Sequence, residues 1–128
     1  MAADGKARAC HRHHPKELFM SSTASEKFPY AGQSFIAGYG PGLTFLNRYS
    51  DDGQCVTVEF LDGDQMGKTA TIPFSWSRIG EDIYLLAWQE ADRSTVVHCD
   101  DFANGVSRSF YTVMDGSFYQ LAGSLTKR

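Results

Sequence analysis

Residues 80–105 read Gly-Glu-Asp-Ile-Tyr-Leu-Leu-Ala-Trp-Gln-Glu-Ala-Asp-Arg-Ser-Thr-Val-Val-His-Cys-Asp-Asp-Phe-Ala-Asn-Gly. Side chains alternate across a strand, so residues two apart share a face. Over 83–90 this puts Tyr84, Leu86, Trp88 and Glu90 on one side and Ile83, Leu85, Ala87 and Gln89 on the other. Over 94–101, Val96, His98 and Asp100 oppose Thr95, Val97, Cys99 and Asp101. Gly80-Glu81-Asp82 and Ala91-Asp92-Arg93 supply turns, and Asn104-Gly105 is a two-residue hairpin signal. Aromatic and β-branched residues bounded by such turns predict strands rather than helices.

The same pattern runs outward in both directions. Gln33–Tyr39 and Leu43–Tyr49 alternate around Gly40-Pro41-Gly42. Asp51-Asp52-Gly53 leads into Gln54–Leu61, and Asp62-Gly63 closes it. Met66–Ile72 and Phe74–Ile79 flank Pro73, which marks a bend or an edge. Val106–Val113 and Ser117–Leu125 are joined at Asp115-Gly116. Eight or nine short strands in this rhythm predict an all-β antiparallel sandwich or barrel, and the short connections predict an up-and-down meander. Nearly every strand is apolar on both faces. That suits a barrel with a ligand inside and an exterior that is partly covered or forms a homodimer.

Composition agrees. The 128 residues fit one domain, and 42% hydrophobic content excludes global disorder. Twelve basic against fifteen acidic residues leave no basic excess, so no nucleic-acid partner is expected. No apolar run reaches the ~20 residues of a membrane span, and no secretory signal is read at the start. Cys10, Cys55 and Cys99 form no Cys-x-x-Cys pair and are expected as reduced thiols in a cytoplasmic protein. Gly38-x-Gly40-x-Gly42 precedes a strand and not a helix, so no phosphate loop and no cofactor are implied.

Residues 1–27 lack either hydrophobic period and are expected to be a flexible leader, with the domain spanning 28–128. Met20 offers an alternative start, so residues 1–19 are expected to be an extension outside the fold. Cys10, His11, His13 and His14 lack a second ligand cluster, and no metal site is assigned there.

Glu90 is the first chemical candidate. A carboxylate sharing a face with Tyr84 and Trp88 at a strand end either opens the following turn into water or borders an apolar pocket. In a pocket, desolvation would raise its pKa and let it carry a proton near neutrality. His98 is the histidine inside the domain, either a hydrogen-bonded structural residue or a ligand contact. Arg108, on a face with Phe110, and Arg48 are candidates to pair a ligand carboxylate or to sit at a rim.

The segment Gly80–Glu90, followed by Thr95-Val96-Val97 and Asp101-Phe102-Ala103-Asn104-Gly105, resembles the lipocalin-like proteins of the MoaF-like family, related to molybdenum cofactor biosynthesis protein F. Phe35–Tyr49 and Phe74-Ser75-Trp76 fit the same pattern, so the resemblance covers roughly 28–125. It implies a lipocalin-like (calycin-type) β-barrel. The Tyr84–Trp88–Glu90 strand also resembles bacterial phenolic acid decarboxylases. That resemblance implies a glutamate acid at Glu90, which protonates the alkene of a p-hydroxycinnamic acid, and a tyrosine at Tyr39. Ala37 stands at the second tyrosine position, and Gly67-Lys68 where an arginine is expected.

Three functions follow as expectations. The first is binding of a small aromatic or hydrophobic molecule inside the barrel, with lyase- or isomerase-type proton transfer by Glu90 and Tyr39. The walls would be Phe45, Tyr84, Trp88, His98, Arg108, Phe110 and Tyr119. The second is a passive carrier. The third is a structural or partner-binding barrel with a filled interior.

Overall fold

The computed structural model describes residues 26–128. The expectations for residues 1–25, including the Cys10–His14 tract and the Met20 start, lie outside the described residues. Nine antiparallel strands follow in chain order: β1 Ser34–Gly38, β2 Thr44–Tyr49, β3 Cys55–Phe60, β4 Thr69–Pro73, β5 Ser75–Gly80, β6 Ile83–Gln89, β7 Thr95–Asp101, β8 Val106–Thr112 and β9 Phe118–Lys127. There is no helix among the described residues. The all-β barrel expectation is borne out. The strand expected from Met66 starts only at Thr69, because 62–68 are spent on turns.

One sheet holds all nine strands in the order β4-β3-β2-β1-β9-β8-β7-β6-β5. The meander is broken at one place, where β1 pairs with β9 and brings the first and last strands together. The two outermost strands, β4 and β5, are consecutive in the chain and joined through Phe74. The chain itself thus crosses the gap in the ladder, and the barrel is nearly closed. Pro73 sits at that bend, where a residue without an amide hydrogen costs no ladder bond. Gly123 lets β9 press against β1: a Cβ there would come within 1.9 Å of the Gly38 carbonyl oxygen.

The interior has two halves. One is packed with rings. Phe28, which precedes the first strand and is 2% exposed, lies against Tyr30, Tyr49, Phe74, Trp76, Tyr84 and Phe102. Tyr30 stacks on Phe102 at 4.0 Å and donates a 2.7 Å hydrogen bond to Asp82 Oδ1. Burial and this carboxylate push the Tyr30 pKa up to about 12. Tyr84, expected as a ligand wall, belongs to this packed end. The other half of the interior is open.

Register decides the rest. His98 pairs with Ser109, and Val97 with Phe110. Residues directly opposite one another point to the same side of the sheet. With His98 buried, Ser107, Ser109 and Tyr111 face inward and Arg108 and Phe110 face out. The wall positions expected for Arg108 and Phe110 are thereby corrected: Phe110 stacks on Phe118 on the outer surface, with ring centroids 6.4 Å apart. Arg48 is also external, paired with Glu59 at 3.2 Å. Cys55 is disulfide-bonded, which corrects the expectation of three reduced thiols, while Cys99 is free. Sequence spacing does not report which cysteines a fold brings within bonding reach. Among the described residues no helix is long and apolar enough to cross a membrane.

Candidate functional site

The open half of the barrel is a cavity of about 670 Å³. Its walls are the inward positions of six strands: Phe45 and Asn47 on β2, Val58 and Phe60 on β3, Ile72 on β4, Trp88 on β6, Val96 and His98 on β7, Ser109 and Tyr111 on β8. Leu121 on β9 completes them. Exposed Ala70, Gln89, Ala91 and Asp92 form the rim, between β4 and the turn after β6. A largely apolar hollow with a few directed polar groups is the usual character of a small-molecule site.

Glu90 follows the last residue of β6 and lines this cavity. Its Oε1 accepts from the Tyr111 hydroxyl at 3.3 Å, and its Oε2 accepts from Trp88 Nε1 at 3.5 Å. Burial raises its pKa above the ordinary glutamate value, outweighing these two donors, and the nearby Asp92 carboxylate pushes the same way. Tyr111 is raised in turn, by burial first and then by the Glu90 charge. The turn that holds Glu90 is tightly bonded. Glu90 N donates to Ser94 O at 2.8 Å, Arg93 N to Glu90 O at 2.7 Å, and Asp92 Oδ1 accepts from Ser94 N at 2.8 Å.

A second polar group lies deeper. Asp100, with no exposed surface, is reached by the Ser107 hydroxyl at 2.5 Å on Oδ1. The Tyr39 and Ser107 hydroxyls are 2.6 Å apart. Since Ser107 spends its hydrogen on Asp100, Tyr39 donates to Ser107. Asp100 Oδ2 faces His98 Nδ1 at 3.5 Å, an ion-pair distance that falls short of a hydrogen bond, and both atoms are otherwise unpartnered and buried. The His98 ring lies 5.0 Å from Trp88 and 6.2 Å from Tyr39.

Of the residues expected at the site, Phe45, Trp88, Glu90 and His98 meet around the cavity. Tyr39 does not line it. Its ring stands behind His98, and burial raises its pKa, so the hydroxyl serves as a neutral donor to Ser107. Tyr119 pairs with Tyr111 and therefore shares the inward face, but it lies half-exposed at the end of β9, outside the lining. Reading the sequence missed Asn47, Ser107, Ser109, Tyr111 and Asp100. For Asp100 a signal existed: an acid on the same face as Val96 and His98.

A family model described as MoaF-like matches residues 31–126. The chain belongs to the MoaF-like family. This MoaF-like chain is also similar to a Burkholderia vietnamiensis protein whose crystal structure is described as that of "a putative beta-lactamase". The two share 44% identity with a TM-score of 0.77, over 80% of this chain and 99% of that one. No curated protein matches the chain.

Proposed function

We propose that this MoaF-like barrel binds a small aromatic or hydrophobic molecule in its open half, and that Glu90 exchanges a proton with it. The observation that carries this reading is the cavity itself. It joins Trp88, Phe45 and Phe60 to a carboxyl whose pKa burial raises. A carboxyl that holds its proton more tightly than usual is suited to general acid–base work. The filled-barrel alternative accounts for the ring-packed end and leaves the other half unexplained.

The description of the Burkholderia protein finds little support in these residues. Ser124-Leu125-Thr126-Lys127 has the serine–lysine spacing of serine β-lactamases, but it lies on β9, where residues three apart point to opposite faces. Among the described residues no group of three His, Cys, Asp or Glu is placed to hold a metal ion.

The test is a titration of tryptophan fluorescence with a panel of aromatic acids and phenols. It is run on the Trp76→Phe background, which leaves Trp88 as reporter, with and without Glu90→Gln. Saturable quenching in both proteins, with turnover by absorbance only when Glu90 is present, is the expected result. Binding without turnover in either would leave a carrier and remove the proton-transfer role. No binding across the panel would sink the reading.

A further inference from the structure

One buried polar group of the cavity wall is a histidine backed by a buried acid. Among the lining residues His98 is the basic side chain, since no Lys or Arg lines the hollow and Arg48 and Arg108 are both outside. His98 is only 5% exposed. Its Nδ1 and the Asp100 Oδ2 have no partner but each other, across 3.5 Å. A hydrogen on Nδ1 is what satisfies both, because a carboxylate only accepts and a bare Nδ1 would set two acceptors face to face. Asp100 is itself held by the Ser107 hydroxyl, which in turn accepts from Tyr39, so the imidazole has a fixed support. With Nδ1 turned onto Asp100, the other ring nitrogen is the one left for a ligand.

Deepening the reading of this cavity, and resting on it, we propose that the ligand is an aromatic acid whose anionic end is seated on His98 Nε2, with Asp100 as the positioning residue behind the ring. The bound carboxylate accepts from Nε2–H while Nδ1–H turns onto Asp100 Oδ2, which stands 3.5 Å away in the free protein. In the complex the imidazole presents one N–H group to each carboxylate. The Trp88 and Tyr39 rings, 5.0 and 6.2 Å from the imidazole, hold its plane in place. Glu90 stands level with Ser94, four residues before His98 on β7, which is about 13 Å along the strand. Trp88 stands between the two groups, its ring 5.0 Å from His98 and its Nε1 3.5 Å from Glu90 Oε2, and the ligand's apolar body runs between Phe45, Val58, Val96 and Trp88 toward the rim.

Cinnamate and cinnamamide, which share shape and differ in charge, test the proposal by calorimetry. The wild type is expected to bind cinnamate about tenfold more tightly than cinnamamide. His98→Gln, which keeps a neutral donor, is expected to bring the two affinities within about threefold, chiefly by weakening cinnamate. Asp100→Asn should lose the same discrimination. Because that variant also alters the buried core, nitrogen-15 spectroscopy of His98 in the wild type gives a second readout. The expected spectrum has a hydrogen on Nδ1 in the free protein and on both nitrogens once cinnamate, but not cinnamamide, is added. Equal binding of the two probes, discrimination that survives His98→Gln, or a bare Nδ1 would overturn the assignment while leaving the cavity's binding role intact. Failure of both probes to bind would remove the cavity-binding reading and this inference with it.

Discussion

Glu90 shows how one side chain couples the site to the fold. Its pKa lies above the unfolded value of 4.5 because burial at the cavity wall penalises the charge more than Trp88 and Tyr111 relieve it. The folded state therefore holds this proton more tightly than the unfolded chain does. Its contribution to stability is fully present below the unfolded pKa and is lost as pH rises through the folded pKa. Glu90→Gln keeps an acceptor for Tyr111 and cannot ionise. The stability of the wild type relative to Glu90→Gln is expected to fall as pH rises through that window and to stay level above it. Thermal melts of both proteins at a series of pH values check this, and parallel curves would show that Glu90 is not desolvated. Asp100 teaches a different lesson about legibility. Its place on the Val96–His98 face could be read from alternation alone. That it is completely buried and bonded to Ser107 could not, because this needs the register of β8 against β7.

At the scale of elements, the strands and their turns were legible and the faces were only partly so. The rhythm of Gly-, Asp- and Asn-rich turns gave eight or nine strands, of which the structure has nine, since turn chemistry is local. Which face of β8 points inward is not local. It follows from Ser109 lying opposite His98, and a sequence with Phe110 and Arg108 on one face and two serines on the other suggests the opposite answer. β8 carries a small residue inside at this point, where the Ser107 hydroxyl donates to Asp100 and accepts from Tyr39. The turn from Glu90 to Ser94 carries a prediction of its own. Arg93 adopts a φ of 77°, a left-handed conformation that costs an L-residue with a side chain about 1–2 kcal/mol, against a smaller entropic penalty for glycine. Arg93→Gly is expected to stabilise the protein by about 0.5–1 kcal/mol and to raise Tm by a few degrees. Ligand binding should be unaltered, since Arg93 does not line the cavity. A lower melting temperature would mean that the Arg93 side chain, and not the turn geometry, sets the stability here.

The whole molecule divides its interior between stability and vacancy. The end closed by Phe28 and its ring of aromatics contains none of the cavity's lining residues, and the end around Glu90 and His98 contains none of the rings packed on Phe28. Phe28 is not part of any strand, yet it is the residue on which β2, β5 and β6 converge through Tyr49, Trp76 and Tyr84. Removing its ring leaves a void among side chains already fixed by their strands, so little collapse can offset it. Phe28→Ala is expected to cost about 3–5 kcal/mol, and the milder Phe28→Leu about 1–1.5 kcal/mol. Phe118→Ala, on the outer surface and 54% exposed, should stay within about 0.5 kcal/mol of the wild type. Denaturant melts measure all three. If the two halves are independent, Phe28→Leu will lower stability and leave the affinity for an aromatic acid within about threefold of the wild type. A matching loss of affinity would show instead that the packed end sets the shape of the open one.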